Sequence, residues 1–383
     1  MTRHTKLGVE AEFFKKLREG SRVKQKIVSD YFVAYNRVMA RGPRAKVGYA
    51  DLFAGPGSYT RADGTMQKSI PILVTEAAVR EDMFRDKVHL WFNDGDPENY
   101  HQLKSAIGSV AGVETLRYKP SFGNKIIDAQ WAEKLGKLPV PTLVFLDPCG
   151  YKGLSLKLVA SILQGFGNDC IFFFNYSRIN MKLDLDVMNR SVDEFFEPER
   201  AKILRAKIKN RSAVEREGFI LAAVKDSITE AGAIPLDFGF SSDKGRRSHY
   251  LVYASKDRSA AGMMKVILRS ASSVVTEGVG SGEHNPRAVA AGPSLFEGPY
   301  EVEDRLLSAF LGRVITFGRL LQEEAQTRYT ESNYRDAVLK LEREGRITVD
   351  PPAERRPFQA GGEKRTLPKK VSIRFMREGD HGN

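Results

Sequence analysis

The stretch GYADLFAGPG, residues 48–57, runs from an apolar segment through Asp51 into a turn in which Gly55 and Gly57 flank Pro56. An apolar strand that ends in an acid and then drops its β-carbons lets the main chain approach a ligand at the carboxyl edge of an open α/β sheet. A nucleoside-binding turn is therefore expected here. The run is not G-x-G-x-x-G and lacks the lysine of a phosphate-binding loop, so it favours neither NAD nor ATP.

Working outward, short apolar runs at 47–53, 88–93, 113–118, 143–147 and 170–175 alternate with glycine, proline and helical stretches. This spacing predicts a doubly wound parallel sheet covered by helices on both faces. A helix over 213–231 then leads to a terminal strand pair, 233–238 and 248–255, joined by the polar loop SSDKGRR. Upstream, 13–38 reads as amphipathic helices able to cover one edge of the sheet. Between 177 and 216 lies a charged helical insertion in which ERAKILRAKIKNR gathers Arg200, Lys202, Arg205, Lys207, Lys209 and Arg211. That density suits either phosphate binding or a solvated helix face.

The remaining chain has a different pattern. Helices are expected at 301–311, 316–326 and 330–344, then strands at 347–349 and 371–375 with a basic, proline-rich excursion between them. This layout resembles a winged helix, which serves on duplex nucleic acid and also in protein contacts. The implied division is N-terminal helices over 1–46, an α/β domain over 47–275, a glycine- and serine-rich linker over 276–299, a winged-helix-like unit over 300–377 and a tail over 378–383.

Sixty Lys and Arg against 48 Asp and Glu leave a formal charge of +12 on 383 residues, which suits an anionic partner such as DNA or RNA. No 18-residue apolar run occurs and MTRHTKLGVE lacks the apolar centre of a signal peptide, so a cytoplasmic protein with no membrane contact is expected. Two cysteines, Cys149 and Cys170, exclude a disulfide scaffold and a four-ligand Cys/His zinc site. With six scattered histidines, no metal is expected.

Two further strand ends carry chemistry. In FNDGDPEN, Asp94 or Asp96 is placed to accept ribose hydroxyls, Asp94 being preferred and Asp96 left to cap the next helix. In YKPSFGN, Phe122 offers a face for an adenine and Ser121 or Asn124 a polar contact, although Phe122 also suits the core. The third junction is FLDPCG, residues 145–150.

Together, DLFAGPG, the second acid and FLDPCG resemble a class I S-adenosylmethionine-dependent methyltransferase, and more closely, over 24–269, the bacterial three-Cys-motif partner (TcmP) family. The resemblance implies a Rossmann-like fold with S-adenosyl-L-methionine as cofactor and a three-Cys-motif protein as partner. Asp51, Phe53, Gly55, Gly57 and Asp94 fall on the cofactor side, with Ser121 and Phe122 at the third motif, where related enzymes often carry an acid.

FLDPCG resembles the Asp-Pro-Pro-aromatic motif of amino methyltransferases. Asp147 and the Pro148 carbonyl would each accept an N–H from an exocyclic amine and Tyr151 would stack on its ring. Cys149 interrupts the motif and opens an alternative, in which a thiolate attacks a pyrimidine so that carbon 5 accepts the methyl group. A noncatalytic module that binds cofactor and nucleic acid is the third reading. Asn175, Tyr176 and Arg178 after the next strand, and Lys244, Arg246 and Arg247 in the hairpin loop, are the expected substrate contacts.

Overall fold

In the computed structural model the strand behind the glycine turn, Val47–Asp51, is buried at all five positions and has a parallel neighbour on each side, which makes it the centre of the sheet. The structure describes residues 3–42, 45–60, 66–148, 153–183, 190–242, 244–276, 278–291, 301–359 and 364–376. Eight strands form the main sheet: β1 (Val47–Asp51), β2 (Val88–Asn93), β3 (Ser121–Gly123), β4 (Thr142–Leu146), β5 (Asp169–Phe174), β6 (Ile234–Ser241), β7 (Arg247–Ser255) and β8 (Glu283–His284). Their spatial order is β3-β2-β1-β4-β5-β7-β6-β8. The strands from β3 to β5 are parallel, and β7 inserts antiparallel between β5 and β6. This is a Rossmann-like class I methyltransferase sheet, with the chain order reversing at β1 and β4.

The stretch 113–118 is not a strand. Gly112 turns the chain at φ 84°, Val113–Thr115 forms a 3-10 turn, and the third strand follows at Ser121–Gly123. Only Leu116 of that run is buried, so its apolar residues do not line a strand face.

One face is covered by a single 37-residue helix, Arg3–Met39, where the sequence predicted shorter helices. Ile27, Val28, Tyr31, Phe32 and Tyr35 recur at helical spacing and bury one stripe. The helix is also pinned by polar contacts. Tyr31 Oη donates to Asp169 Oδ2 at 2.5 Å and lies 2.6 Å from Tyr253 Oη, while Tyr35 Oη donates to the Gly167 carbonyl at 2.7 Å. These anchors sit at the start of β5, so residues two turns earlier reach towards the strands' carboxyl ends.

On the other face, Leu158, Val159 and Ile162 pack with Ile220, Val224 and Ile228 of helix Ala213–Glu230. That helix begins with a reciprocal Ser212–Glu215 capping box. The insertion is helical, and three of its arginines are neutralised locally: Arg200 by Glu230, Arg205 by Asp193 and Arg211 by Glu215. Lys202, Lys207 and Lys209 remain exposed.

Part of the expected linker is structured. Val275–Thr276 and Val279–Gly280 form a small hairpin, and β8 pairs in parallel with the edge of β6. Backbone hydrogen bonding, which composition does not report, explains the difference. Beyond it, helices Glu301–Phe310, Phe317–Glu323 and Glu331–Arg343 enclose a separate apolar core. Its three-stranded sheet places Ser372–Phe375 between Val314–Thr316 and Ile347–Asp350. Among the described residues, no helix is long and apolar enough to cross a membrane.

Candidate cofactor and acceptor site

The carboxyl ends of β1, β2 and β4 open into a cavity of ≈ 1020 Å³. The turn after β1 forms one wall, with Gly55 at φ 65° and Gly57 at φ 86°. A β-carbon on Gly57 would stand 3.0 Å from that of Ala106, so both the backbone conformation and the close approach of helix Pro97–Gly108 call for glycine. Asp51 is buried and accepts the Phe53 N–H at 3.2 Å. Burial pushes its carboxyl well above the usual carboxylate range, reinforced by Asp147 and Asp94 and opposed by the Phe53 hydrogen bond and Lys24.

Asp94 ties the first turn to the second. Its Oδ2 accepts the Gly55 N–H at 2.8 Å and its Oδ1 accepts the Asp96 N–H at 2.9 Å. Asp96 caps helix Pro97–Gly108 through Glu98 N–H at 2.8 Å and Asn99 N–H at 3.1 Å. Asn124 donates to the Asp94 carbonyl at 2.8 Å.

At the third strand, Phe122 packs against Phe92 and Ser121 is exposed, and neither lines the cavity. Ile126 and Ile127 form the wall there. They are held by Asn93, whose Nδ2 donates to the Leu52 and Lys125 carbonyls at 3.0 and 2.9 Å and whose Oδ1 accepts the Lys125 N–H at 3.1 Å. Sequence reasoning missed Asn93, although an amide at the buried end of a strand was the available signal.

Asp147 and Pro148 line the same cavity at the end of β4. Lys24, from the N-terminal helix, donates to Asp147 Oδ2 at 2.5 Å and lies 4.3 Å above the Phe173 ring. His249 stacks on the same Phe173 ring at 4.7 Å, and Phe240 meets it edge-on at 5.5 Å. Burial and the Lys24 charge pull the His249 imidazole down to about 4, against the opposing pull of Asp147, so the ring is neutral near pH 7. Neither Lys24 nor His249 is distinctive in sequence, because both reach Asp147 from distant elements.

The expected substrate contacts separate in space. Asn175 Oδ1 accepts the Arg178 N–H at 3.1 Å at the start of helix Tyr176–Leu183, Arg178 is exposed, and Tyr176 is buried edge-on to Tyr250. Lys244 and Arg246 are exposed at the hairpin tip. Arg247 turns inward to Glu217 at 3.0 Å and Glu283 at 2.6 Å, and Tyr250 Oη also donates to Glu217. Two carboxylates therefore occupy Arg247. Cys149, Gly150 and Tyr151 lie outside the described residues. In the winged unit, the wing lysines Lys364 and Lys369 face Asp336 at 2.7 Å and Glu331 at 3.5 Å on the third helix.

Residues 300–354 match the family model described as a GMT-like wHTH domain. No curated protein matches the chain. Similar solved structures include magnesium protoporphyrin IX methyltransferase from Synechocystis PCC 6803, 15% identical over 62% of this chain and 86% of that one, with a TM-score of 0.32. The methyltransferase domain of bacterial CtHen1-C is 10% identical over 61% and 100%, TM-score 0.32, and the glycopeptide N-methyltransferase MtfA is 9% identical over 58% and 85%, TM-score 0.29. The fold assignment rests on strand order and register. The chain thus joins a Rossmann-like class I methyltransferase fold to a C-terminal GMT-like winged helix-turn-helix domain.

Proposed function

We propose that this protein is an S-adenosylmethionine-dependent methyltransferase acting on an exocyclic amine of a nucleic-acid base. The observation that carries the reading is that the glycine turn and the Asp147–Pro148 junction line one cavity, at the ends of adjacent strands β1 and β4. The cofactor supplies an electrophilic methyl group on a cationic sulfonium. The residues present fit it: Gly55 lines the cavity in a backbone conformation that favours glycine, Gly57 lets the turn seat against helix Pro97–Gly108, Asp94 keeps lone pairs for ribose hydroxyls, Ile126 and Ile127 offer apolar flanks for an adenine, and Asp51 adds a polar group beneath.

On the acceptor side, Lys24 engages Oδ2 of Asp147 and so orients the carboxylate. Asp147 Oδ1 and the Pro148 carbonyl then accept the two N–H groups of the amine and aim its lone pair at the methyl position. Formation of the N–C bond would accompany cleavage of the sulfonium C–S bond, whose electron pair would stay on the departing neutral thioether, and the positive charge gained by the nitrogen would be stabilised by Asp147 until the amine proton left to solvent. A neutral His249 adds no competing cation there. A nucleic-acid acceptor is supported by the +12 charge and by the winged unit, a common duplex-binding form.

The test is incubation with radiolabelled cofactor and pooled DNA or RNA, followed by digestion to nucleosides. Label on N6-methyladenine or N4-methylcytosine supports the reading. Label on pyrimidine carbon 5 overturns the amine, and cofactor binding without transfer to any acceptor overturns catalysis.

A further inference from the structure

A second cavity, of ≈ 380 Å³, lies where helix Arg258–Ala271 and the edge of the sheet meet the winged unit. Among the described residues its wall carries six cationic side chains, Lys225, Arg247, Lys265, Arg269, Arg305 and Arg328, and one carboxylate, Asp237. Like charges around a small space repel unless each has a counter-charge. Lys225 pairs with Asp237 at 2.9 Å, Arg247 with Glu217 and Glu283, and Arg305 with Glu324 at 2.5 Å.

Lys265 and Arg269 differ. They stand four residues apart on one helix face, and among the described residues neither forms an ion pair. Lys265 Nζ donates to the Glu324 carbonyl at 3.1 Å and Arg269 Nη1 to the Gly278 carbonyl at 3.4 Å. A carbonyl oxygen orients a cation without cancelling its charge. The Glu324 carboxylate is engaged by Arg305 and by Tyr334 Oη at 2.8 Å. Lys265 is only 7% exposed, and burial pulls its ammonium down to about 8, with Glu324 opposing. A buried ammonium with neutral partners is costly, and an anion in the cavity would relieve that cost.

We infer that this cavity binds the phosphate of a nucleotide-sized ligand, with Lys265 and Arg269 as the phosphate partners. Its volume lies within the roughly 300–1,000 Å³ of small-molecule pockets, near the lower end, which suits one nucleotide rather than several. Tyr250 and Tyr329 add aromatic surface to the same wall, against which a base can pack. The site shares no wall residue with the Asp51–Asp147 cavity, so it stands apart from the methyl-transfer reading. Because the walls come from both units, a bound ligand would bridge them. A free mononucleotide and the 5′-terminal phosphate of a nucleic-acid strand present the same group.

Calorimetric titration of the full chain with uridine monophosphate, uridine and inorganic phosphate tests the site. The expected result is saturable binding of the monophosphate, absent with uridine and weakened at least tenfold in both Lys265→Met and Arg269→Gln. If Lys265→Met does not fold, the half-buried Arg269→Gln decides alone. No saturable binding of either phosphate at millimolar concentration, or equal binding by wild type and Arg269→Gln, overturns the inference. Comparing 5′-phosphorylated with 5′-hydroxyl oligonucleotides assigns the source: a preference for the phosphorylated end marks a strand terminus, and tighter binding of the free monophosphate marks a small ligand. Failure here leaves cofactor binding and methyl transfer intact, so the two readings fail separately.

Discussion

Lys24 meets Asp147 at 2.5 Å although the two residues are 123 positions apart, which brings the N-terminal helix into the cavity wall beside Asp147. Removing the ammonium in Lys24→Met leaves the carboxylate free to rotate. Transfer is expected to fall about 10- to 100-fold, the worth of a charge-assisted hydrogen bond. The loss should appear in kcat, with cofactor affinity kept and Lys24→Arg recovering part of it. Asp147→Ala should lower turnover further, and wild-type turnover in that variant would remove Asp147 from its assigned role.

Gly57→Ala is expected to cost about 1–2 kcal/mol, because alanine is strained at φ 86° and its methyl meets Ala106. Cofactor affinity should fall with it. Gly262→Ala, inside helix Arg258–Ala271 with open space at its β-carbon, should instead stabilise by about 0.5–1 kcal/mol. Thermal melting of both variants checks the contrast, and equal effects would contradict it.

Two buried groups should oppose each other in acid. Burial raises Asp169 to about 6, so between the unfolded carboxylate range and pH 6 the folded chain keeps a proton that the unfolded chain has lost. Its contribution is complete below about pH 4 and is lost as pH rises through 6, a change on the order of 3 kcal/mol. His249, lowered to about 4, contributes fully above about pH 6.5 and loses that contribution as pH falls through 4. Asp169→Asn should therefore leave stability rising more steeply from pH 4 to 6, and His249→Gln should leave it falling. Denaturant titrations across that range read both slopes, and parallel profiles in the two variants would refute the assignment.

The hairpin cations should divide by position. Lys244→Ala with Arg246→Ala is expected to weaken nucleic-acid binding and reduce its salt dependence without changing thermal stability. Arg247→Ala leaves Glu217 and Glu283 without their shared cation and should destabilise by about 1–3 kcal/mol. Unchanged affinity and salt slope in the double variant would take the loop tip out of the interface.

Much of the sheet was legible because Val47–Asp51, Thr142–Leu146 and Asp169–Phe174 are nearly continuous apolar runs, as strands buried on both faces must be. The third strand was misplaced because it is three residues long and only partly buried, so it has little pattern to read. At the site, Asp51, Asp94 and Asp147 were readable as acids at strand ends. Lys24 and His249 were not, because their positions follow from how far a helix extends past its anchor and from which strand inserts between β5 and β6, whereas Asn93 at the buried end of β2 carried a readable signal. The inward turn of Arg247 was equally hidden, since Glu283 comes beside it only when β8 joins the sheet edge.

That two-residue strand has a mechanical consequence. Glu283 and His284 lie in register with Gly239 and Phe240, the Gly239 N–H bonds the Gly282 carbonyl at 3.0 Å, and Asn333 of the winged unit donates to the Gly278 carbonyl at 3.1 Å in the adjoining hairpin. A pull on the winged unit through the Asn333–Gly278 bond is therefore carried as shear into the last rung of the sheet. Peeling β8 from β6 would break the Arg247–Glu283 pair and strip one wall of the smaller cavity.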